Sequence, residues 1–443
     1  MTWRGTANVE TLESVEYLCP KCATSTRLDR RFVRWCLSCG HGADPYPPEY
    51  DKREARRRDR EIERSLALYA SLKTAKSLRP SSGLSRAVTV YSLLVHGIGV
   101  LVVALPLAWL LGGGPTGPAW IATLLGAAVF YLVRPRLGHP RLKPTFGFDR
   151  AQAPRLYALL DRCSAELGCR TPDRVSIGAD FNASTWRAGL AQRRVLRIGA
   201  PLWTVLTGPE RLALLGHELG HQVNGDTTRS LLAGSAWRSL SEWTSLLHPD
   251  RIPSHGPGSR SVRSLRRGGP TGLAVDLLAP IFILLCTLPF FAIAVGLRAV
   301  LTRLQLQCGQ RAEYLADELG ARLAGTEAAL RTQCKVVFAE SLPVFVRSRR
   351  TGGTAKADPA TLWADFHAYV ESMPENEFQR RLIVDRLRHT RTDRSHPADH
   401  LRIALLHERP ALPGTISVSD EEWAAIDAEL APRMLGAARA ALR

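Results

Sequence analysis

Apolar residues are spread unevenly along the chain. Two blocks, roughly 87–133 and 273–299, hold far more than their share, and the rest is polar and rich in Arg. Residues 87–112 carry no Asp, Glu, Lys or Arg, and they are long enough to cross a bilayer, which takes about 20 apolar residues. The run Gly112-Gly113-Gly114-Pro115-Thr116-Gly117-Pro118 reads as a tight turn, and a second apolar run follows at 119–133. Together they predict a helical hairpin at 87–133 with both ends on one side. The third block, 273–299, is interrupted by Pro280 and Pro289.

Outside these blocks the pattern is that of soluble elements. Residues 51–79 mix charges at helical spacing, the pattern of a solvated helix or linker. A helix covers about 151–168, a strand lies around Val175-Ser176-Ile177, and Arg193 to Ile198 alternates polar and apolar like a half-exposed strand. A strong helix begins at Thr207-Gly208-Pro209-Glu210, a capping box with Pro in the first turn, and stops near Asn224-Gly225. Residues 229–271 are ambiguous. Residues 300–443 read as mostly helical, with a loop at Arg347–Lys356.

Charge and cysteine usage narrow the class. The formal charge is +18, from 59 Lys and Arg against 41 Asp and Glu. Basic clusters flank the first apolar block, Lys52 to Arg86 before it and Arg134, Arg136, Arg141 and Lys143 after it. That placement fits the cytoplasmic flanks of membrane helices better than a nucleic-acid surface. The block lies too deep in the chain to be a secretory signal peptide. Of nine cysteines, five are scattered (Cys163, Cys169, Cys286, Cys308, Cys334), which argues against a disulfide framework. The other four form two C-x-x-C pairs, Cys19/Cys22 and Cys36/Cys39, with the spacing of a zinc ribbon. Such a ribbon is a closed structural zinc site. It serves either to recruit a substrate or partner, or as a small domain docked on the rest of the chain.

The helix predicted at 207–224 contains His217-Glu218-Leu219-Gly220-His221. Histidines at i and i+4 stand on one helix face, one turn apart, so both imidazoles can grip one metal ion. Glu218 beside the first His can take a proton from a water that the metal acidifies. This is the H-E-x-x-H arrangement of zinc peptidases. The apolar Leu212 to Leu215 before it marks a largely buried helix, where histidines and a glutamate are costly unless used. A catalytic zinc needs a third protein ligand and an open position. Gln222 to Asp226 offer no third His of the metzincin kind. A glutamate from a second helix is the other option, and Glu313 with Asp317 supplies it, again i and i+4. Asp317 would then hold a ligand His in one tautomer. By itself that pair is an ordinary charged helix face.

At this point the chain resembles the HtpX-like and CAAX-prenyl-protease-like family of integral membrane metallopeptidases. Four segments carry the resemblance in order: Asn182-Ala183, His217 to Asp226, Glu313 to Asp317, and Ser395-His396-Pro397 with Arg402. It implies His217, His221 and Glu313 as ligands of one catalytic zinc, Glu218 as general base and acid, and Asp317 and Asp226 behind the ligands. His396, with Arg402, would stabilise the oxyanion. Asn182 and Ala183 would border the substrate cleft, and the strand at 193–198 would take substrate backbone as an added strand.

The predicted fold is therefore mainly α (α+β). A zinc ribbon (1–50) and a charged helical linker (51–86) precede a transmembrane hairpin (87–133). A zincin-like peptidase domain with a small sheet follows (134–443), carrying an apolar insert at about 229–299. Zinc coordination requires His217 and Glu313 on the same side of the membrane. Either 229–248 and 273–299 both span, or 273–299 is a Pro-broken re-entrant hairpin. The expected protein is a membrane zinc endopeptidase of a bacterial-type plasma membrane. Its catalytic domain and ribbon face the cytoplasm, its substrates are unfolded or membrane polypeptides, and its role is quality control. A membrane-anchored zinc-ribbon recruitment protein with a latent peptidase domain is the competing reading. The apolar helices are too few to enclose a lipid-sized chamber for prenylated substrates.

Overall fold

The computed structural model describes residues 14–75, 77–78, 82–113, 116–133, 147–188, 191–224, 226–249, 261–351, 357–388 and 397–443. The chain divides into two compact units. The first comprises Met1–Pro80, Pro140–Thr227 and Gly309–Arg443, and the second Ser81–His139 and Thr228–Cys308.

In the first unit a small antiparallel hairpin, β1 (Ser14–Leu18) and β2 (Ser25–Asp29), carries Cys19 and Cys22 in its turn, and Cys36 and Cys39 follow β2. Helix α1 (Lys52–Lys73) starts at Asp51, whose carboxylate caps the backbone N–H groups of Arg53 and Glu54. In the second unit α2 (Ser82–Leu111) and α3 (Thr116–Val133) form the predicted hairpin. The first unit resumes with α4 (Pro154–Leu167), which ends on Gly168 at φ 68°. There follow β3 (Arg174–Gly178), β4 (Ala183–Ala188), β5 (Arg193–Gly199) and the short α5 (Ala200–Val205).

Strand order is β3-β5-β4, with β5 parallel to β3 and antiparallel to β4. The strand at 193–198, expected to receive substrate backbone, is thus the centre of the sheet. Its ladder is taken on both sides, so it cannot accept an added strand. The edge facing the site is β4.

Helix α6 (Gly208–Val223) begins as predicted, with the Thr207 N–H donating to the Glu210 carboxylate at 2.8 Å. The same carboxylate pairs with Lys335 in a buried ion pair. Leu212, Leu215 and Leu219 face the core against α4 and the sheet. That stripe is the apolar side of a 3.6-residue repeat. Residues 229–248, ambiguous in sequence, lie mainly in α7 (Asp226–Leu246). Ala236 and Leu240 on it pack with Val95 of α2 and with Leu301.

Leu301 belongs to α8 (Ser261–Ala324), which runs unbroken through Pro280 and Pro289. A helix passes a proline when the freed backbone groups find other partners. The re-entrant alternative is therefore not what the chain adopts. Helices α9 (Thr326–Lys335), α10 (Ser341–Thr351), α11 (Leu362–Glu371), α12 (Glu375–Arg388), α13 (Asp399–Glu408) and α14 (Asp420–Ala441) complete the first unit. The fold is mainly α with small sheets, as expected. Stretches Gly83–Leu101 and Thr287–Ala324 are long and apolar enough to cross a membrane.

Candidate metal centre

The site is built where α6 and α8 nearly touch. A Cβ on Gly216 would stand 2.8 Å from the Gly320 Cα, and one on Gly320 would stand 2.7 Å from the Ala213 carbonyl oxygen. Only glycine allows backbones that close. The contact sets His217 and His221 of α6 against Glu313 of α8. Their donor atoms lie within 4.8 Å of one another. His221 Nε2 is 3.2 Å from His217 Nε2, and each is 3.6 Å from a Glu313 carboxylate oxygen. Donors placed about 2.1 Å from one zinc ion at tetrahedral angles stand about 3.4 Å apart. Two imidazoles and one carboxylate at these spacings fit that ion and leave a fourth position.

Glu218 is 5% exposed. It lines, with His217, a pocket walled by Phe181, Leu202 and Leu214 and bordered by Asn182 and Ala183. The Thr185 hydroxyl of β4 donates to the Glu218 backbone carbonyl at 3.2 Å, which ties the edge strand to the helix at this residue. Asn182 and Ala183, expected at the cleft, therefore border the same pocket as His217 and Glu218.

Behind the ligands lies a buried polar knot. His217 Nδ1 is 2.9 Å from Asp317 Oδ1. The Arg402 Nε and Nη2 atoms donate to the two Asp317 oxygens at 2.7 and 2.6 Å. Gln333 Nε2 donates to Oδ1 at 2.7 Å. Burial alone would push the Asp317 carboxyl up, but the Arg402 guanidinium and these hydrogen bonds outweigh it and hold it down at about 2. A carboxylate that stays ionised fixes His217 with its Nδ1 proton toward Asp317, which leaves Nε2 for a metal.

Arg402 is 2% exposed and lies 3.3 Å from Glu313 as well. Its guanidinium, expected at the oxyanion, is engaged through Nε and Nη2 by Asp317 and Glu313, and it lines the same pocket as His217 and Glu218. Gln333 was not singled out in the sequence, because a lone Gln in α9 has no spacing that marks it. Asn224, at the C-terminal end of α6, donates to the Ala312 carbonyl at 3.3 Å and pins the two helices next to Glu313. His396 lies outside the described residues, and so does the side chain of Asp226.

A second donor set joins the turn of the β1–β2 hairpin to the segment after β2. Cys19 and Cys39 sulfurs are 3.7 Å apart and those of Cys22 and Cys36 are 3.5 Å apart. Four thiolates about 2.3 Å from a tetrahedral zinc stand about 3.8 Å apart, so the set fits a closed site. The hairpin is docked on the first unit. Ile383 of α12 packs on the core of Leu28, Trp35 and Ala43. Arg388 forms a two-armed pair with Asp44, and Arg380 donates to the Ala43 carbonyl.

A histidine pair one turn apart, a glutamate from a second helix and a carboxylate beside the first histidine form the donor arrangement that metallopeptidases use. The family model described as Peptidase family M48 matches residues 151–410. That is more than half of the chain, and the chain belongs to this family. It is also similar to a protein named Protease HtpX homolog from Syntrophobacter fumaroxidans, at 28% identity over 181 residues, 39% of this chain and 55% of that protein. The match thus spans little more than half the length of that relative. No solved structure matches the chain. The HtpX-like resemblance read from the motifs is upheld by both findings.

Proposed function

We propose that the protein is a membrane-embedded, zinc-dependent endopeptidase that cleaves unfolded or membrane polypeptides in protein quality control. The observation that carries this is the convergence of His217, His221 and Glu313 beside the buried Glu218. Bound zinc supplies Lewis acidity to that position. The chain's own groups do the rest. Glu218 takes a proton from the attacking water and passes it to the departing amine. Asp317, held by Arg402 and Gln333, keeps His217 oriented. Substrate backbone is read by the outer edge of β4, next to Asn182 and Ala183, as an added strand. Main-chain recognition of this kind suits extended segments without fixed side-chain preference. The resemblance gives His396 the oxyanion.

Membrane embedding is supported by the second unit. Leu105, Ile121, Leu124, Phe282 and Ile293 on its apolar helices are all more than half exposed, a surface that water does not tolerate over so many residues. The basic flanks of the first apolar block support a cytoplasmic location for the catalytic domain. The four cysteines hold a structural zinc. The ribbon's contacts with α12 favour a docked structural module over a free recruitment module, and so favour the enzyme over the competing reading.

The test compares full-length protein with Glu218→Gln, purified in detergent, on an unfolded model polypeptide, with and without chelator and added zinc. We expect cleavage that the chelator abolishes and the variant loses by about two to four powers of ten, with zinc still bound by the variant. Cleavage by Glu218→Gln at the wild-type rate would remove Glu218 as the base.

A further inference from the structure

The second unit holds a polar groove with no part in peptide hydrolysis. Ser241, Thr244 and Ser245 of α7, His248 just beyond its end, and Phe291, Val295 and Arg298 of α8 line it. The three α7 residues, and the three of α8, have the spacing that places them on one helix face. Its volume, about 510 Å³, falls in the range of small-molecule sites.

The lining has a definite chemistry. Arg298 Nη1 donates to the Thr244 hydroxyl at 3.1 Å, which aims the guanidinium along the hydroxyl stripe. Its planar fork carries five N–H donors, more than one hydroxyl can take. The Ser241 hydroxyl is shielded from solvent and has no hydrogen-bond partner among the described residues. No carboxylate is among the lining residues. Phe291 stands edge-on to His248 at 5.3 Å and continues with Val295 into an apolar wall. Arg298 also lies within the apolar stretch that begins at Thr287. A cation in such a stretch is costly unless it faces a polar partner. A ligand that suits the groove has a compact oxygen anion for Arg298 and the hydroxyls, and an apolar chain for the wall.

We propose that this groove binds the phosphate diester of an anionic glycerophospholipid. The phosphate oxygens accept from Arg298, Thr244 and Ser241, and an acyl chain lies along Phe291 and Val295. The lipid as source rests on the reading that this unit sits in a bilayer. That reading has its own check, flotation of the protein with neutral phosphatidylcholine vesicles.

The experiment titrates full-length protein in detergent with dioctanoyl phosphatidylglycerol, followed by native mass spectrometry and by tryptophan fluorescence, since Trp243 lies between Ser241 and Thr244. Dioctanoylglycerol and inorganic phosphate are the comparison ligands. We expect one saturable site for the phospholipid. Arg298→Gln should weaken it about tenfold or more, the loss of a charged hydrogen bond, and Ser241→Ala should weaken it a few-fold. Arg303→Gln, which removes an equal charge outside the groove, should leave it unchanged. Absence of saturable binding, an unchanged Arg298→Gln, or equal binding of dioctanoylglycerol would overturn the proposal. Equal affinity for inorganic phosphate would overturn the lipid as source and leave a free-anion site. Because cleavage is not read, failure of the peptidase reading would leave these outcomes intact.

Discussion

Asp317→Asn is the perturbation that best separates a metal site held by its surroundings from one defined by its ligands alone. The side chain keeps its size but loses its charge. In the protein it is 3% exposed and accepts hydrogen bonds from His217, Arg402 and Gln333. An amide can still accept on its oxygen, but its nitrogen meets the Arg402 guanidinium donor to donor. Among the described residues, the carboxylates left to the buried Arg402 are then Glu313 at 3.3 Å and Asp399 at 3.8 Å. Breaking a buried pair by removing one partner costs about 3–5 kcal/mol; the two remaining carboxylates place this case near the lower end, about 3 kcal/mol. His217 also loses the anion that fixes its tautomer, and such a loss typically lowers metal affinity about 10–100-fold. Two assays check this: chelator competition for zinc affinity, and denaturant unfolding of the metal-free protein. Zinc affinity within threefold of wild type together with unchanged unfolding would refute the argument, because it would mean that the knot behind the ligands carries neither stability nor orientation.

Further predictions concern other parts of the first unit. Gly320→Ala sets a Cβ 2.7 Å from the Ala213 carbonyl oxygen; it should cost about 1–3 kcal/mol as overpacking does and weaken zinc binding, read from thermal unfolding and chelator competition. Cys36→Ser should remove the ribbon metal while the His217 site keeps its own. Limited proteolysis should then cut near Asp44, where wild type resists. The Arg388 guanidinium holds the Asp44 carboxyl below its ordinary value. Its contribution to docking is therefore present above the unfolded carboxylate pKa of about 4 and is lost as pH falls below it. Proteolysis of the ribbon should accelerate on acidification through that range, and Asp44→Asn should show the fast rate at neutral pH.

Legibility of the sequence follows the range of the interaction involved. His217, Glu218 and His221 could be placed on one face because a helix repeat is local, and Glu313 and Asp317 for the same reason. Joining the two helices took the family resemblance, since nothing in either segment states that Gly216 meets Gly320. The expectation that the strand at 193–198 takes substrate backbone failed in the same way: alternation in Arg193 to Ile198 reveals a strand but not that β5 is flanked on both sides. Arg402 was found by motif, yet its burial between Asp317 and Glu313 is a packing fact that charge alone argues against. Gln333 carried no pattern at all. The prolines of α8 read as breaks, because propensity weighs the lost hydrogen bond and not the partners that replace it.

His217 and Asp317 are 100 residues apart, and Arg402 lies 185 residues beyond His217. Ribosomes add about 5–20 residues per second, so a nascent chain carries its histidine pair for about 10–40 s before the arginine of the knot has been made. During that interval the segments around α7 and the first part of α8 emerge and must find their place. A chain stalled there has the two histidines and the glutamate between them but lacks the residues that orient them. The dispersal of the site along the chain means that its metal donors and the groups that orient them are complete only once Arg402 has been made.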